Sequence, residues 1–253
     1  MLAVRPPAVA GTFYPADPVE LRDTVARLLA AARPGVPPKA LIVPHAAYVY
    51  SGPIAASGFA RVVDAPVRRV VLLGPSHFAY LRGCALPDAA AMRTPLGDLP
   101  VEELPLPRDR AAHAREHSLE VELPFLQVAL SIETHAPIAV GDAGPEAVAA
   151  VLEQLWGGPE TLIVISSDLS HYLPYEEARR TDAATAKEIL ALGQVGHDDT
   201  CGAGPINGLL VAARERGMRA ELIDLRSSGD TAGVRRSVVG YGAFAFYEKK
   251  RAV

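Results

Sequence analysis

The sequence predicts an α/β protein, a three-layer α/β/α sandwich around a central mixed sheet. Three observations carry this. The runs Ala40–Val43, Val70–Leu73 and Leu162–Ile165 are wholly apolar, as strands covered on both faces are. Amphipathic helical stretches alternate with them, the order a largely parallel sheet requires. Each apolar run ends at a turn that carries a histidine or an aspartate: His45, His77, and the pair Asp168 and His171.

The elements follow in chain order. Asp17–Ala32 reads as an opening helix, with Asp17 as N-cap, Pro18 at the first helical position, and Leu21, Val25, Leu28 and Leu29 on one face. The stretch "RPGVPP" ends it, and Ala40–Val43 is the first strand. The segment "GPIAASGFARV" from Gly52 reads as a helix with Ile54 and Phe59 towards the core; Val70–Leu73 is the second strand. Ser118–Leu130 reads as a helix capped by Ser118, although Pro124 and some period-two alternation run against it. Ile138–Val140 is a short strand, Pro145–Trp156 an amphipathic helix, and Leu162–Ile165 the third apolar strand. Tyr175–Leu192 and Pro205–Arg216 are helices, the second ended by Gly217; "AELIDL" and "GYGAFAFY" are closing strands.

At 253 residues the chain suits one domain, taken as 1–253, and is long enough to bury a sizeable core. Hydrophobic residues make up 49% and charged residues 21%, with a net charge of −4, an ordinary globular mixture. No Lys/Arg run suggests nucleic acid, and the "EKKR" near the end reads as a solvated tail. No apolar run approaches the roughly 20 residues of a membrane helix. The N-terminal "MLAVRPPAVAG" is too short and too broken by proline for a signal peptide. Cys84 and Cys201 form no disulfide framework and no CxxC pair. The expectation is a cytoplasmic protein with reduced thiols and with no nucleic-acid or membrane partner.

In sheets of this kind ligands collect beyond the carboxyl ends of parallel strands. If the three apolar strands run parallel, His45, His77 and Asp168/His171 open on one edge. Neutral imidazole is the commonest metal ligand, and two imidazoles plus an anionic group leave positions open for small molecules. Two residues qualify as the anion. Asp168 lies in "SSDLSH"; Cys201 lies in "DDTCGAGPINGLL", before a helix whose N-terminus would lower a thiol pKa, with Gly202 and Gly204 allowing close approach of backbone. Each residue also has a plainer role. His45 after Pro44 can bond a loop carbonyl, Cys201 can be a buried thiol, Asp168 a turn residue, and His117 a surface residue at a helix start. Three strand-end histidines in one chain tip the balance towards a site. His113, His135 and His197 lie in polar surroundings and read as solvated, and Cys84 as a small core residue. Ser76 beside His77 has no G-x-S-x-G elbow, so a serine hydrolase is weakly supported.

Seven segments in order, "AGTFYPAD", "LIVPHAAYVYSG", "VVLLGPSHF", "RTPLGDL", "EHSLEVELPFLQ", "ISSDLSHY" and "CGAGPINGLL", resemble the Memo family, whose bacterial members are also called AmmeMemoRadiSam system protein B. They span Ala10 to about Tyr247. The resemblance implies a fold like that of the class III extradiol dioxygenases, where a ferrous ion sits on two histidines and a carboxylate. It implies His45, His77 and Cys201 as metal ligands, and so favours Cys201 over Asp168. It also implies that Asp168, His171 and His117 line the same pocket. The chain departs from the family pattern at Ala47, where glycine is usual, and at Phe78, where a second histidine is common.

The cofactor expected from this resemblance is iron(II), with copper or zinc as alternatives; a thiolate is softer and more oxidisable than a carboxylate and suits iron or copper. The function expected is a metal-dependent dioxygenase or redox enzyme acting on a small aromatic substrate such as a catechol. His171 or His117 would be its acid or base, Asp168 would orient His171, and Tyr48 would contact substrate. The alternative is a non-catalytic metal-binding or peptide-interaction module that works with a radical SAM partner. A zinc hydrolase is the third expectation.

Overall fold

The computed structural model describes residues 3–249, so the first two residues and the end of the "EKKR" stretch lie outside the described residues. The elements in order are β1 (Val4–Arg5), α1 (Pro18–Ala31), β2 (Ala40–Val43), α2 (Tyr48–Phe59), β3 (Arg69–Pro75), β4 (Cys84–Ala85), β5 (Ala91–Thr94), β6 (Gly97–Pro100) and α3 (Arg110–Ala114). There follow α4 (Leu123–Ala129), β7 (Thr134–Val140), α5 (Pro145–Leu155), β8 (Thr161–Ser166), β9 (His171–Leu173), α6 (Tyr175–Leu190), α7 (Ala203–Glu215), β10 (Arg219–Ser227) and β11 (Val238–Tyr247).

The main sheet has the order β10-β11-β2-β8-β3-β7-β4, with β9 pairing β11 off this path. Its centre is parallel: β2 runs with β8, β8 with β3, and β3 with β7. Its flanks, β11, β10 and β4, are antiparallel, so the sheet is mixed. Helices α1, α2 and α4 pack on one another, while α5 and α7 pair and α7 lies against β3 and β8. The result is the expected three-layer sandwich. Apart from Arg69 at the start of β3, strands β2, β3 and β8 are buried throughout, which is why the sequence there shows runs of Val, Ile and Leu.

Where the chain departs from the expected elements, a side chain explains it. The helix expected from Gly52 begins at Tyr48 and carries Pro53 inside it. Proline cannot serve the carbonyl four residues back, but that residue, Val49, is 60% exposed, so water can serve it instead. The helix expected from Ser118 begins as a 3₁₀ turn at Glu120–Glu122 and becomes α-helical only at Leu123. Ser118 does not cap it: the side chain is buried and donates to the Pro75 carbonyl at the end of β3. His113 and His135, expected to be solvated, are both buried. Burial holds each imidazole down at about 4 and therefore neutral; His113 Nε2 bonds the Ala85 carbonyl and His135 Nδ1 the Pro100 carbonyl. The small sheet β1-β5-β6 was not expected from hydropathy, because strands of two to four residues leave too little pattern.

A buried ion pair closes the fold over this sheet edge. Glu120 is wholly buried and pairs with Arg5, which is also buried. The same carboxylate accepts from the Ala8 and Val9 backbone N–H groups and from Tyr14 Oη at 2.6 Å. One side chain thus holds the N-terminal segment from Arg5 to Tyr14 against the loop before α4. Removing one partner of such a pair leaves a buried, uncompensated charge. Glu120→Ala should cost about 3–5 kcal/mol of stability, read from urea denaturation. Arg5→Met combined with Glu120→Leu should cost less than the sum of the two single changes.

Candidate metal centre

The parallel strands deliver their residues to one point by register. Val43, Ser166 and Pro75 end β2, β8 and β3, and Val43 pairs with Ser166. His45, Asp168 and His77 each lie two residues beyond those ends. His117 reaches the same place from the loop before α4. The rings of His45, His77 and His117 are mutual neighbours, with centroids 5.2 Å, 5.4 Å and 5.0 Å apart. One nitrogen from each lies within 4.8 Å of the others, so the three imidazoles could hold a metal ion between them.

Glu116 bonds the ring of His77, Ser166 bonds the ring of His45, and Asp168 holds the His45 backbone. Glu116, nearly fully buried, accepts from the His77 backbone N–H at 2.6 Å and bonds His77 Nδ1 at 2.9 Å. It also accepts from the His117 and Ser118 backbone N–H groups. Burial alone would raise its pKa, but the His77 ring and these N–H groups outweigh burial and hold it at about 2. An ionised carboxylate only accepts, so His77 carries a hydrogen on Nδ1. His45 Nδ1 bonds Ser166 Oγ at 2.8 Å, and Asp168 Oδ1 accepts from the His45 backbone N–H at 2.9 Å. Burial, reinforced by the neighbouring His77 and His117, keeps His45 well below its usual range and neutral. Burial also lowers His117 and His171.

Cys201 arrives through a close approach of two backbones. Gly202 donates its N–H to Ser167 Oγ at 2.9 Å, and a Cβ on Gly202 would stand 2.5 Å from that side chain. Ser167, Thr200 and the Asp168 carbonyl are bonded together around this contact. Cys201 Sγ then lies 3.4 Å from His45 Nε2. It falls outside the set of three mutually close nitrogens. The helix start of α7 does not lower the thiol as expected from sequence: burial, reinforced by Asp168, pushes it up to about 12.

Residues 5–245 match the family model described as Memo-like protein. The chain belongs to the Memo family. It is 34% identical to a MEMO1 family protein of Methanopyrus kandleri over 281 residues, covering 96% of this chain and 98% of that one. It is 36% identical to MEMO1 family proteins of Archaeoglobus fulgidus, over 269 residues covering 96% and 99%, and of Methanococcoides burtonii, over 267 residues covering 95% and 98%.

Within this Memo fold the remaining residues fall as follows. Asp168 accepts from the His45 backbone N–H, and among the described residues it makes no hydrogen bond to His171, the pairing expected from sequence. Burial raises Asp168 to about 7. His171 lies at the exposed start of β9, beside Tyr172, which is 76% exposed and holds a left-handed backbone at φ 60°. Tyr48 is buried and its hydroxyl already donates to the Val121 carbonyl at 2.7 Å. Phe13 and Phe78 flank His117 at 4.8 Å and 5.7 Å. Among the described residues no helix is long and apolar enough to cross a membrane. Sequence reading passed over Glu116, Glu122 and Ser166. The available signal was the acidic spacing in "EHSLEVE", three glutamates in a segment otherwise apolar enough to be buried.

The three clustered imidazoles suit a transition metal, and burial keeps two of them, His45 and His117, neutral. Without metal the thiol should be sluggish. From an ordinary value of 9.0 to about 12 is three pH units, roughly a thousandfold less thiolate. Alkylation of metal-free protein at pH 8, followed by mass spectrometry, should therefore label Cys201 at least 100-fold more slowly than a free thiol.

Proposed function

We propose that this Memo-family protein is a metal-dependent oxidoreductase that holds iron(II) on His45, His77 and Cys201 and acts on a small aromatic diol with dioxygen. The observation that carries this reading is the tying of Nδ1 in both histidines, to Ser166 and to Glu116. Each ring therefore offers Nε2, and Cys201 Sγ stands beside the Nε2 of His45. Two imidazoles and one anionic sulfur leave coordination positions for substrate and dioxygen. Iron(II) would supply the one-electron chemistry through which dioxygen reacts with an aromatic ring.

The protein's own residues do the rest. His117 is neutral and stacks on His77 at 5.0 Å, so its nitrogen remote from Glu116 can take the hydroxyl proton of a bound diol. Glu116 lies 3.6 Å from the other nitrogen and stabilises the imidazolium that results. Phe13 and Phe78 provide apolar walls beside the ring. His171 stands at the open edge as a second proton carrier.

A second reading rests on exposed aromatics. Phe78 and Tyr172 are largely solvent-facing beside the histidines, as the lips of a peptide-binding groove would be. In that reading the protein is a metal-holding module for a partner, a radical SAM protein being the class the family resemblance suggests. His45→Ala then changes a binding constant and no reaction rate.

Anaerobically purified, iron-loaded protein should consume dioxygen with at least one member of a catechol panel. His45→Ala, His77→Ala and Cys201→Ala should each lose stoichiometric iron. His117→Gln should keep iron and lose about 10²–10⁴-fold in rate. Absence of oxygen uptake with iron bound would retire the oxygenase. Full iron occupancy in Cys201→Ala would give the third ligand position to His117.

A further inference from the structure

We propose that Glu122 is a positioning residue that sets the tautomer of His45: it stands as a neutral carboxylic acid, donates to Ser166, and so obliges His45 to carry its hydrogen on Nδ1 and to turn a bare Nε2 into the site.

The inference comes from counting hydrogens around one hydroxyl. Ser166 closes β8 and is fully buried. Its Oγ has three polar neighbours: the Ser118 carbonyl at 2.6 Å, Glu122 Oε1 at 2.8 Å, and His45 Nδ1 at 2.8 Å. A hydroxyl has one hydrogen to give and two lone pairs to accept with. The shortest contact is to a carbonyl, which only accepts, so the serine hydrogen goes there. The other two neighbours must each bring a hydrogen of their own. For His45 that hydrogen is on Nδ1, and for Glu122 it is the acid proton. An ionised Glu122 would set one lone pair against another at 2.8 Å.

Two further observations agree. Glu122 is wholly buried, and its Oε2 has no hydrogen-bond partner among the described residues. A neutral acid tolerates a bare carbonyl oxygen far better than a buried anion tolerates a bare charged one. Burial, reinforced by Asp168, holds this carboxyl well above the usual range. On the opposite edge of the ring, Cys201 Sγ lies 3.4 Å from Nε2. A thiol hydrogen pointed at Nε2 is accepted there only when the ring hydrogen is on Nδ1; the Asp168 carbonyl, 3.7 Å away, is the alternative acceptor.

Neutral Glu122, Ser166 and His45 thus form a chain with one consistent direction. It deepens the metal reading, since Nε2 is the atom a cation would take. The tautomer is a property of the metal-free protein, however, and is tested there, so failure of the metal reading would leave it standing.

The test is NMR on metal-free protein labelled with ¹⁵N-histidine and ¹³C-glutamate, with Glu122→Gln and Glu122→Leu compared. Wild type should show one glutamate carboxyl protonated at pH 7, absent from Glu122→Gln, and His45 as the Nδ1–H form. Glu122→Gln should keep that form, because its amide N–H₂ donates where the acid did. Glu122→Leu should lose it, to a mixture or to the Nε2–H form. Zinc affinity, measured as a probe of the same nitrogen, should fall about 10–100-fold in Glu122→Leu and less than threefold in Glu122→Gln. An ionised Glu122 at pH 7, or a Glu122→Gln protein that loses the tautomer, overturns the proposal. If Glu122→Leu does not fold, wild type and Glu122→Gln decide it by themselves.

Discussion

Three glutamates from one seven-residue segment are buried, and the site depends on how each is satisfied. Glu116, Glu120 and Glu122 lie at 0–1% exposure. A buried carboxyl must be paired, hydrogen-bonded or neutral. This segment uses all three solutions. Glu116 is ionised and bonds His77 and its neighbouring backbone. Glu120 is paired with Arg5 and draws in the N-terminal segment. Glu122 fits as a neutral acid on Ser166. The segment can enter the interior only if the ends of β3 and β8 and the N-terminal segment come to meet it. The geometry of the histidines follows from that requirement.

The sheet sets positions and burial sets protonation. Parallel register places three strand ends side by side, and a two-residue extension from each puts His45, His77 and Asp168 at one edge. Desolvation then makes neutral forms the stable ones: His45 and His117 lose their protons, while Cys201 and Glu122 keep theirs. Neutral His45 and His117 and a protonated Cys201 put no charge of their own in the interior, and the ionised Glu116 beside His77 makes the cluster attractive to a cation. A metal would reverse the preference at Cys201, because the thiolate gains in coordination what it loses in hydration. The close packing of Gly74 against Ser118 serves the same end. A Cβ at Gly74 would meet Ser118 Oγ at 2.8 Å, which would push the acidic segment off the strand.

Much of this was legible in the sequence, wherever the signal was local. The N-cap at Asp17, the proline at Pro18 and the spacing of Leu21, Val25 and Leu29 place α1 within a residue of its observed bounds. The apolar runs mark the three central strands, and the residues after them mark the edge on which His45 and His77 gather. What escaped is non-local. Arg5 and Glu120 are 115 positions apart, and Ser166 and Glu122 are 44 apart. Alternating glutamates in "EHSLEVE" look like a half-solvated helix until partners so distant are known. His135 looked solvated for the same reason: the strand that buries it, β7, begins at Thr134, inside polar sequence.

The central claim is that His45 and His77 present their Nε2 atoms, with one further donor, to a shared cation. Anomalous diffraction from crystals grown anaerobically with iron, recorded on both sides of the iron edge, tests it most directly. The account predicts a single strong peak within bonding distance of both Nε2 atoms and of Cys201 Sγ. A peak bonded to neither histidine, or no peak from protein with iron in stoichiometric amount, would contradict it.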